Sequence, residues 1–209
     1  MPILSFTEKI HEGGDVYTFR FKKPIGFKHK AGQHALFVLP GFYRPHPFTI
    51  SSAPDEDFVS FTTHAREGSA FKRRIMEFVA GNKIFLLGPL LNFTFHKAYD
   101  DYVFLAQGIG ITPFRSMLVY ANAANMPVKT TLIHVDGAGH TFKALTSEYA
   151  TEALYPTNPE EFRDVVLKQD SAKAFYLSGS PRFVKATKAL LKEHGVARKN
   201  IRTDSFLGY

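Results

Sequence analysis

Four short segments hold the residue types from which a binding site can be built. In "RPHPFTISSAP", Arg44 to Pro54, a histidine, an aromatic ring and a row of hydroxyls stand between prolines. Proline excludes a helix there and "FTIS" has the composition of a strand, so these groups ride on extended chain of fixed direction. In "FLAQGIGITPF" a buried-type strand ends at Gln107, and Gly108 and Gly110 permit a tight turn and close backbone approach to a ligand. After Ile111, Thr112 and Pro113 read as the N-cap and first residue of a helix. Free amides at such a start suit a dinucleotide pyrophosphate, and a plain strand-to-helix turn reads the same way. The spacing is G-x-G-x-x-P, not that of a phosphate-transferring P-loop. "YLSGSPRF" repeats the device, with a strand ending at Ser178, a turn at Gly179, and Ser180 and Pro181 opening a helix. Two such turns on one parallel sheet define a crevice at the carboxyl ends of its strands, where ligands of open α/β sheets bind. Lastly, "GSAFKRRI" sets Gly68 and Ser69 at a helix start with Arg66, Lys72 and Arg73 near, an arrangement for a phosphate or for an ordinary capped amphipathic helix.

Other chemistries are poorly served. The chain has no cysteine, which excludes disulfides, thiolate zinc sites, iron–sulfur clusters and a cysteine nucleophile. Its 9 histidines are dispersed, with no H-x-x-x-H or H-E-x-x-H pair, so no metal site is expected. No serine sits in G-x-S-x-G, which argues against a hydrolase. A net charge of +7 favours an acidic protein, a nucleotide or a phosphate as partner. The basic residues are scattered and carry no nucleic-acid motif, so nucleic acid is not the expected partner.

The elements that must position these segments follow two rhythms within 209 residues. Up to about residue 97, "DVYTFRF", "QHALFVL", "PFTISS", "FVSFTTHA" and "KIFLLG" read as short strands between turns, hence an antiparallel barrel or sandwich. One helix interrupts them, with Ser69 as N-cap, Gly81 beyond its end, and Phe71, Ile75, Phe78 and Val79 on one face. Afterwards "YVFLAQ", "VKTTLIHV" and "AFYLSG" alternate with helical stretches, which means a parallel sheet covered on both faces. The stripes Phe114, Met117, Leu118 and Phe183, Leu190, Leu191 are read as core. No apolar run reaches membrane-spanning length and the start has no leader pattern, so a cytoplasmic protein without membrane attachment is expected.

Taken in order, "HPFTISS", "REGS", "QGIGITP" with "SML", and "LSGSP…IRTDSFLGY" resemble the ferredoxin–NADP reductase superfamily of flavin oxidoreductases, over nearly the whole chain. His46 and Phe48, where that family usually has Arg and Tyr, make the first segment similar to the ferric-reductase and NADPH-oxidase branch. The resemblance implies a two-domain fold: residues 1–97 as a six-stranded antiparallel barrel with one phosphate-binding helix, holding FAD, and residues 98–209 as an α/β parallel-sheet domain binding NAD(P)H. It implies that Phe48 stacks on the flavin, Thr49 bonds near N5, and His46 contacts the pyrophosphate. Pro47, Ile50, Ser51, Thr63, His64, Gly68 and Ser69 complete the flavin site. Gln107, Gly108, Gly110, Ile111, Thr112, Pro113, Asp136, Ser178 and Gly179 serve the nicotinamide nucleotide. Phe206 covers the other flavin face, with Tyr209 beside it. Thr49, Ser178 and Phe206 are the residues expected nearest the hydride.

Three departures from the family pattern stand out. Gln107 replaces the first glycine of Gly-Gly-x-Gly, Ser178 replaces the usual cysteine, and Leu91 stands where glycine is common. Asp136 after "TLIHV" suits a ribose hydroxyl and so NADH, while Lys143 nearby leaves NADPH open. The expected activity is hydride uptake from NAD(P)H and electron delivery by a monomer to a separate acceptor: a ferredoxin- or flavodoxin-like acidic protein, a ferric chelate or another small molecule. The alternatives are a flavin- or nucleotide-binding regulatory module without turnover, and a basic nucleic-acid-binding protein.

Overall fold

The computed structural model describes residues 2–42, 44–65, 69–96, 98–137 and 139–206. The first sheet contains Ile3–Gly13 (β1), Val16–Lys22 (β2), His34–Val38 (β3), His46–Thr49 (β4), Phe58–His64 (β5) and Lys83–Leu90 (β6), in the order β4-β3-β6-β1-β2-β5. Every pairing in it is antiparallel. The sheet curls until its edges meet beyond β4, where Ser51 N donates to Ser60 O at 2.8 Å. Alternation drives the curl: in β2, Phe19 and Phe21 are fully buried while Arg20 points out and pairs with Glu8 at 2.9 Å. The interior is built of phenylalanine, with Phe61 stacked on Phe19 (5.2 Å) and on Phe48 (4.4 Å, 12° between planes).

Ala70–Met76 (α1) links β5 to β6, with Ser69 as N-cap accepting from Lys72 N. Its buried Phe71 and Ile75 close one end of the phenylalanine core. The helix is shorter than the apolar pattern predicts. It stops at Met76, Phe78 still packs on the core, and Val79 is exposed in the turn that follows.

The second sheet is wholly parallel, in the order β11-β10-β7-β8-β9. Its strands are Asp101–Gln107 (β7), Lys129–Val135 (β8), Glu152–Leu154 (β9), Ala174–Gly179 (β10) and Ile201–Ser205 (β11). Thr112–Ala123 (α2), Lys143–Tyr149 (α3), Pro159–Leu167 (α4) and Pro181–Glu193 (α5) cover it. Both faces are dry: Tyr102, Phe104 and Ala106 pack with Phe114, Met117 and Leu118, whereas Val103 and Leu105 pack with Val184 and Leu191. Continuous apolar runs such as "YVFLA" are what two buried faces require. No described helix is long and apolar enough to cross a membrane.

Three strands were not anticipated, β1, β9 and β11. In β1 only Leu4 and Phe6 are buried, so an 11-residue strand shows alternation at one end alone. In β9 only three residues pair. Another difference lies at the first glycine turn, where Gly108–Ile111 winds as a 3-10 turn. The helix therefore starts one residue earlier than read: Ile111 takes the cap position, and Thr112 donates its hydroxyl to Ile109 O at 3.1 Å instead of capping.

Candidate functional site

A cleft of about 250 Å³ lies where the β4–β5 side of the curled sheet faces the carboxyl ends of β7 and β11. From the first sheet it receives His46, Pro47, Phe48, Thr49, Thr63 and His64, with Ser69 and Lys72 from the start of α1. From the second it receives Ile109, Thr112, Asp204, Ser205 and Phe206. His46–Thr49 thus form one wall, and the first glycine turn with the end of β11 and Phe206 forms the other.

The histidine at the polar heart of the cleft lies in none of the motifs. His34 faces Thr49 across the β3–β4 ladder, and its Nε2 lies 3.1 Å from Thr49 Oγ1. The same nitrogen is 3.3 Å from Asp204 Oδ2, on a strand of the other sheet. One imidazole therefore bridges a hydroxyl and a carboxylate from opposite walls, with side chains only 7% and 8% exposed for His34 and Asp204. The Phe206 ring sits 5.8 Å from the His34 ring, and Phe206 N donates to Gly179 O at 3.0 Å. His34 Nδ1 and Ser178 Oγ are among the described buried side-chain atoms that lack a hydrogen-bond partner, and Asp204 Oδ2 has the His34 ion contact but no hydrogen bond. Buried polar atoms are rarely left so, at about 1–3 kcal/mol each. A ligand with donors and acceptors in the cleft can satisfy those it reaches.

Basic and imidazole side chains also line the cleft. Lys72 is 8% exposed, and burial, with Lys72 and Arg44 nearby, holds the His46 imidazole below its ordinary value. His46 leans on Phe71 at 4.2 Å between rings, and His64 Nδ1 meets Asp15 Oδ1 at 2.7 Å.

The residues expected from the glycine turns mark the carboxyl ends of the parallel strands, though most do not line the cleft. Gln107 ties the two turns together, accepting from Ser180 Oγ at 2.5 Å. Ser178 lies between Ala106 and Asp204 in strand register and is fully buried. A Cβ on Gly110 would run into the Ser178 carbonyl, so only glycine lets these two turns touch. Gly108 adopts φ +52°, and its carbonyl is held at 3.0 Å by Nε2 of His134, whose burial lowers its pKa to about 4. Asp136 stands at the end of β8 with its carboxylate 4.0 Å from His134 Nε2. Pro113 in α2 and Ile111 at its cap are buried, Ile111 fully so within the core.

Two residues expected in the flavin site lie away from the cleft. Ile50 is 0% exposed inside the phenylalanine core, and its amide is taken by Gln33 O. Ser51 is 1% exposed, bonded through its hydroxyl to Ser60 and Thr62 and through its amide to Ser60 O. Both lie where the strand has already turned inward, so neither offers a group to the cleft. Gly68 and Tyr209, also expected there, lie outside the described residues. Leu91, in the place of the family's glycine, lines the cleft with φ +63°, the left-handed backbone that glycine adopts most readily.

His34, Thr62, Ile109, Asp204 and Ser205 were missed. Asp204 was accessible, since on a strand it shares a face with Phe206 two residues on. His34 was not, because only the β3–β4 register brings it to Thr49.

The profile of a FAD-binding domain family matches residues 4–137. Over 116 residues the chain is 34% identical to the stachydrine N-demethylase reductase subunit Stc4 of Rhizobium meliloti (strain 1021), covering 52% of this chain and 33% of that protein. The chain spans a third or less of the length of the curated relatives it matches. Among solved structures, it superposes on ferredoxin-NADP+ reductase from Plasmodium falciparum with TM-score 0.79 at 16% identity, covering 98% of this chain and 95% of the other. The flavohem-like FAD/NAD-binding domain of nitric oxide dioxygenase from Vibrio cholerae gives TM-score 0.78 at 18% identity, covering 98% of each. With the cleft, the two sheets and the sequence match in agreement, the chain belongs to the FAD-binding domain family, on the two-sheet fold of the ferredoxin–NADP reductase superfamily.

Proposed function

We propose that the chain is a FAD-dependent oxidoreductase that takes hydride from NAD(P)H and passes electrons to a separate acceptor. The observation that carries this reading is the cleft itself, walled on one side by Phe48 and Thr49 and on the other by the Gln107–Thr112 turn and Phe206. In it, residues 1–97 serve as the flavin half and residues 98–209 as the nicotinamide half.

The residues present fit a flavin nucleotide. Phe48, Leu91 and Ile109 supply apolar surface, Thr49, Thr62 and Thr63 supply hydroxyls, and Lys72, Ser69, His46 and His64 supply polar groups suited to phosphates. The threonine hydroxyls and the His34–Asp204 pair favour a ligand with both donors and acceptors. When bound, the flavin supplies the hydride-accepting and electron-releasing chemistry. The protein orients and excludes water: Phe48, backed by Phe61, gives a rigid apolar wall, and Phe206 covers the opposite side. Thr49 Oγ1, held by His34, presents a hydroxyl in fixed orientation, and Asp204 steadies the imidazole. Asp136 favours NADH at the ribose end, as a carboxylate accepts from a hydroxyl and repels a 2′-phosphate.

The acceptor follows from charge. A net charge of +7 favours an acidic electron-transfer protein or a ferric chelate as that acceptor. The test is to load the purified chain with FAD and with FMN and follow visible flavin absorption during reduction by NADH and NADPH. FAD retention with bleaching by either dinucleotide is expected. Preference for FMN, or bound FAD that neither dinucleotide reduces, would overturn the reading, the second result in favour of a regulatory module.

A further inference from the structure

Away from the cleft, one buried ion pair joins the two sheets, and no step above uses it. Arg115, one helical turn into α2, is 6% exposed. Its Nη1 donates to Glu56 Oε2 and, at 3.0 Å, to Ser51 O, and its Nη2 donates to Glu56 Oε1 at 2.7 Å. The next residue, Ser116, donates its hydroxyl to Ser52 O at 2.7 Å, which His29 Nε2 also meets at 3.1 Å. Glu56 in turn accepts from Ala53 N at 2.5 Å, so the 51–56 loop is braced internally as well as across the sheets. Phe142 lies 5.9 Å from the guanidinium on its far side.

Both ends of this brace run directly into the cleft. Ser51 is two residues past Thr49 on one wall, and Arg115 is three residues past Thr112 on the other. The forked guanidinium–carboxylate geometry fixes orientation as well as distance, which a lysine cannot do. The His34–Asp204 contact also joins the sheets, yet it lies inside the cleft, where a ligand must compete with it. Arg115–Glu56 is the brace that a ligand leaves alone.

Resting on the flavin-and-nicotinamide reading of the cleft, we propose that Arg115, through Glu56 and the Ser51 carbonyl, is a positioning residue that sets the separation of the two cleft walls and hence the rate of hydride transfer. Transfer between stacked rings is steep in distance, and a misplacement of about 1 Å costs roughly 100-fold.

Two measurements test it. The chain has no cysteine, so Lys22→Cys and Lys185→Cys, both exposed, allow a spin-label distance across the sheets without any cofactor. Arg115→Lys, which keeps the charge and loses the fork, is expected to broaden a single narrow distance distribution. In the FAD-loaded chain it is expected to slow the limiting rate of flavin bleaching roughly 10- to 100-fold. Flavin affinity and half-saturating dinucleotide should stay within about threefold, and the deuterium isotope effect should become more temperature-dependent. Should Arg115→Lys not fold, Glu56→Gln, which keeps the shape of the acceptor, takes its place in both measurements. An unbroadened distribution, or a wild-type bleaching rate in a folded variant, overturns the proposal. A wild-type chain that neither dinucleotide bleaches fails earlier and overturns the underlying reading instead.

Discussion

The two sheets reach the cleft by different means: the curled sheet presents side chains from strand faces, and the parallel sheet presents backbone turns and chain ends. On the first wall, Phe48 and Thr49 are placed by alternation along β4 and by its ladder with β3, which also delivers His34. On the second, placement depends on Gly110 and Gly179, where a Cβ would collide with Ser178 backbone or with Gln107 and Phe183, and on the positive φ of Gly108. A site of this make is sensitive to lost side-chain volume on one wall and to added volume on the other.

The largest expected effect tests the first half of that contrast. Phe61→Ala removes the ring against which Phe19, Phe37 and Phe48 pack, and should cost about 3–5 kcal/mol in denaturant unfolding. A loss under about 1 kcal/mol would mean that the phenylalanine core does not support the wall.

Next comes acid, acting on the second wall through His134. Its pKa is held at about 4 by burial, below the ordinary 6.5, so the unfolded chain takes up a proton more readily between these values. Folding stability is complete above pH 6.5 and falls as pH drops toward 4, by about 3 kcal/mol from this group alone. His134→Gln should flatten that part of the stability–pH curve; an unchanged acid limb would remove His134 as its cause.

Gly110→Ala should cost about 1–3 kcal/mol, because the new methyl meets the Ser178 backbone, which has no flexible side chain to yield. Its partner experiment, alanine at Gly137, where a Cβ meets nothing within 4 Å, should be close to neutral in the same melt. Equal effects at the two glycines would erase the distinction between a packed turn and a free one.

The smallest effect belongs to the chain end. Phe206→Ser should change reduced-dinucleotide affinity by about 0.5–1.5 kcal/mol, the range for one aromatic stack. Transient kinetics with NADH and NADPH read it, and unchanged affinity and rate would place the ring outside the path of the nicotinamide.

How much of this was legible in the sequence depended on whether position came from local pattern or from register. The runs "VYTFRF" and "YVFLA" announced their sheets because alternation and continuous burial leave different compositions. β1 did not, as seven of its residues beyond Phe6 face water or the sheet edge and carry no periodic signal. In the site, Phe48, Thr49 and Phe206 came from motif resemblance, whereas His34 and Arg115 owe their roles to partners 15 and 59 residues away. The burial of Ile50 and Ser51 away from the cleft was hidden for the same reason. A motif reads as one line of residues, but the strand bends inward after Thr49 and takes both into the core.

The central claim is that both walls serve one electron transfer, and anaerobic rapid mixing of the FAD-loaded chain with NADH and with NADPH tests it most directly. The account predicts rapid loss of the oxidised flavin absorption with at least one dinucleotide, NADH acting at the lower concentration. Flavin that binds firmly and stays oxidised in the presence of both would contradict it.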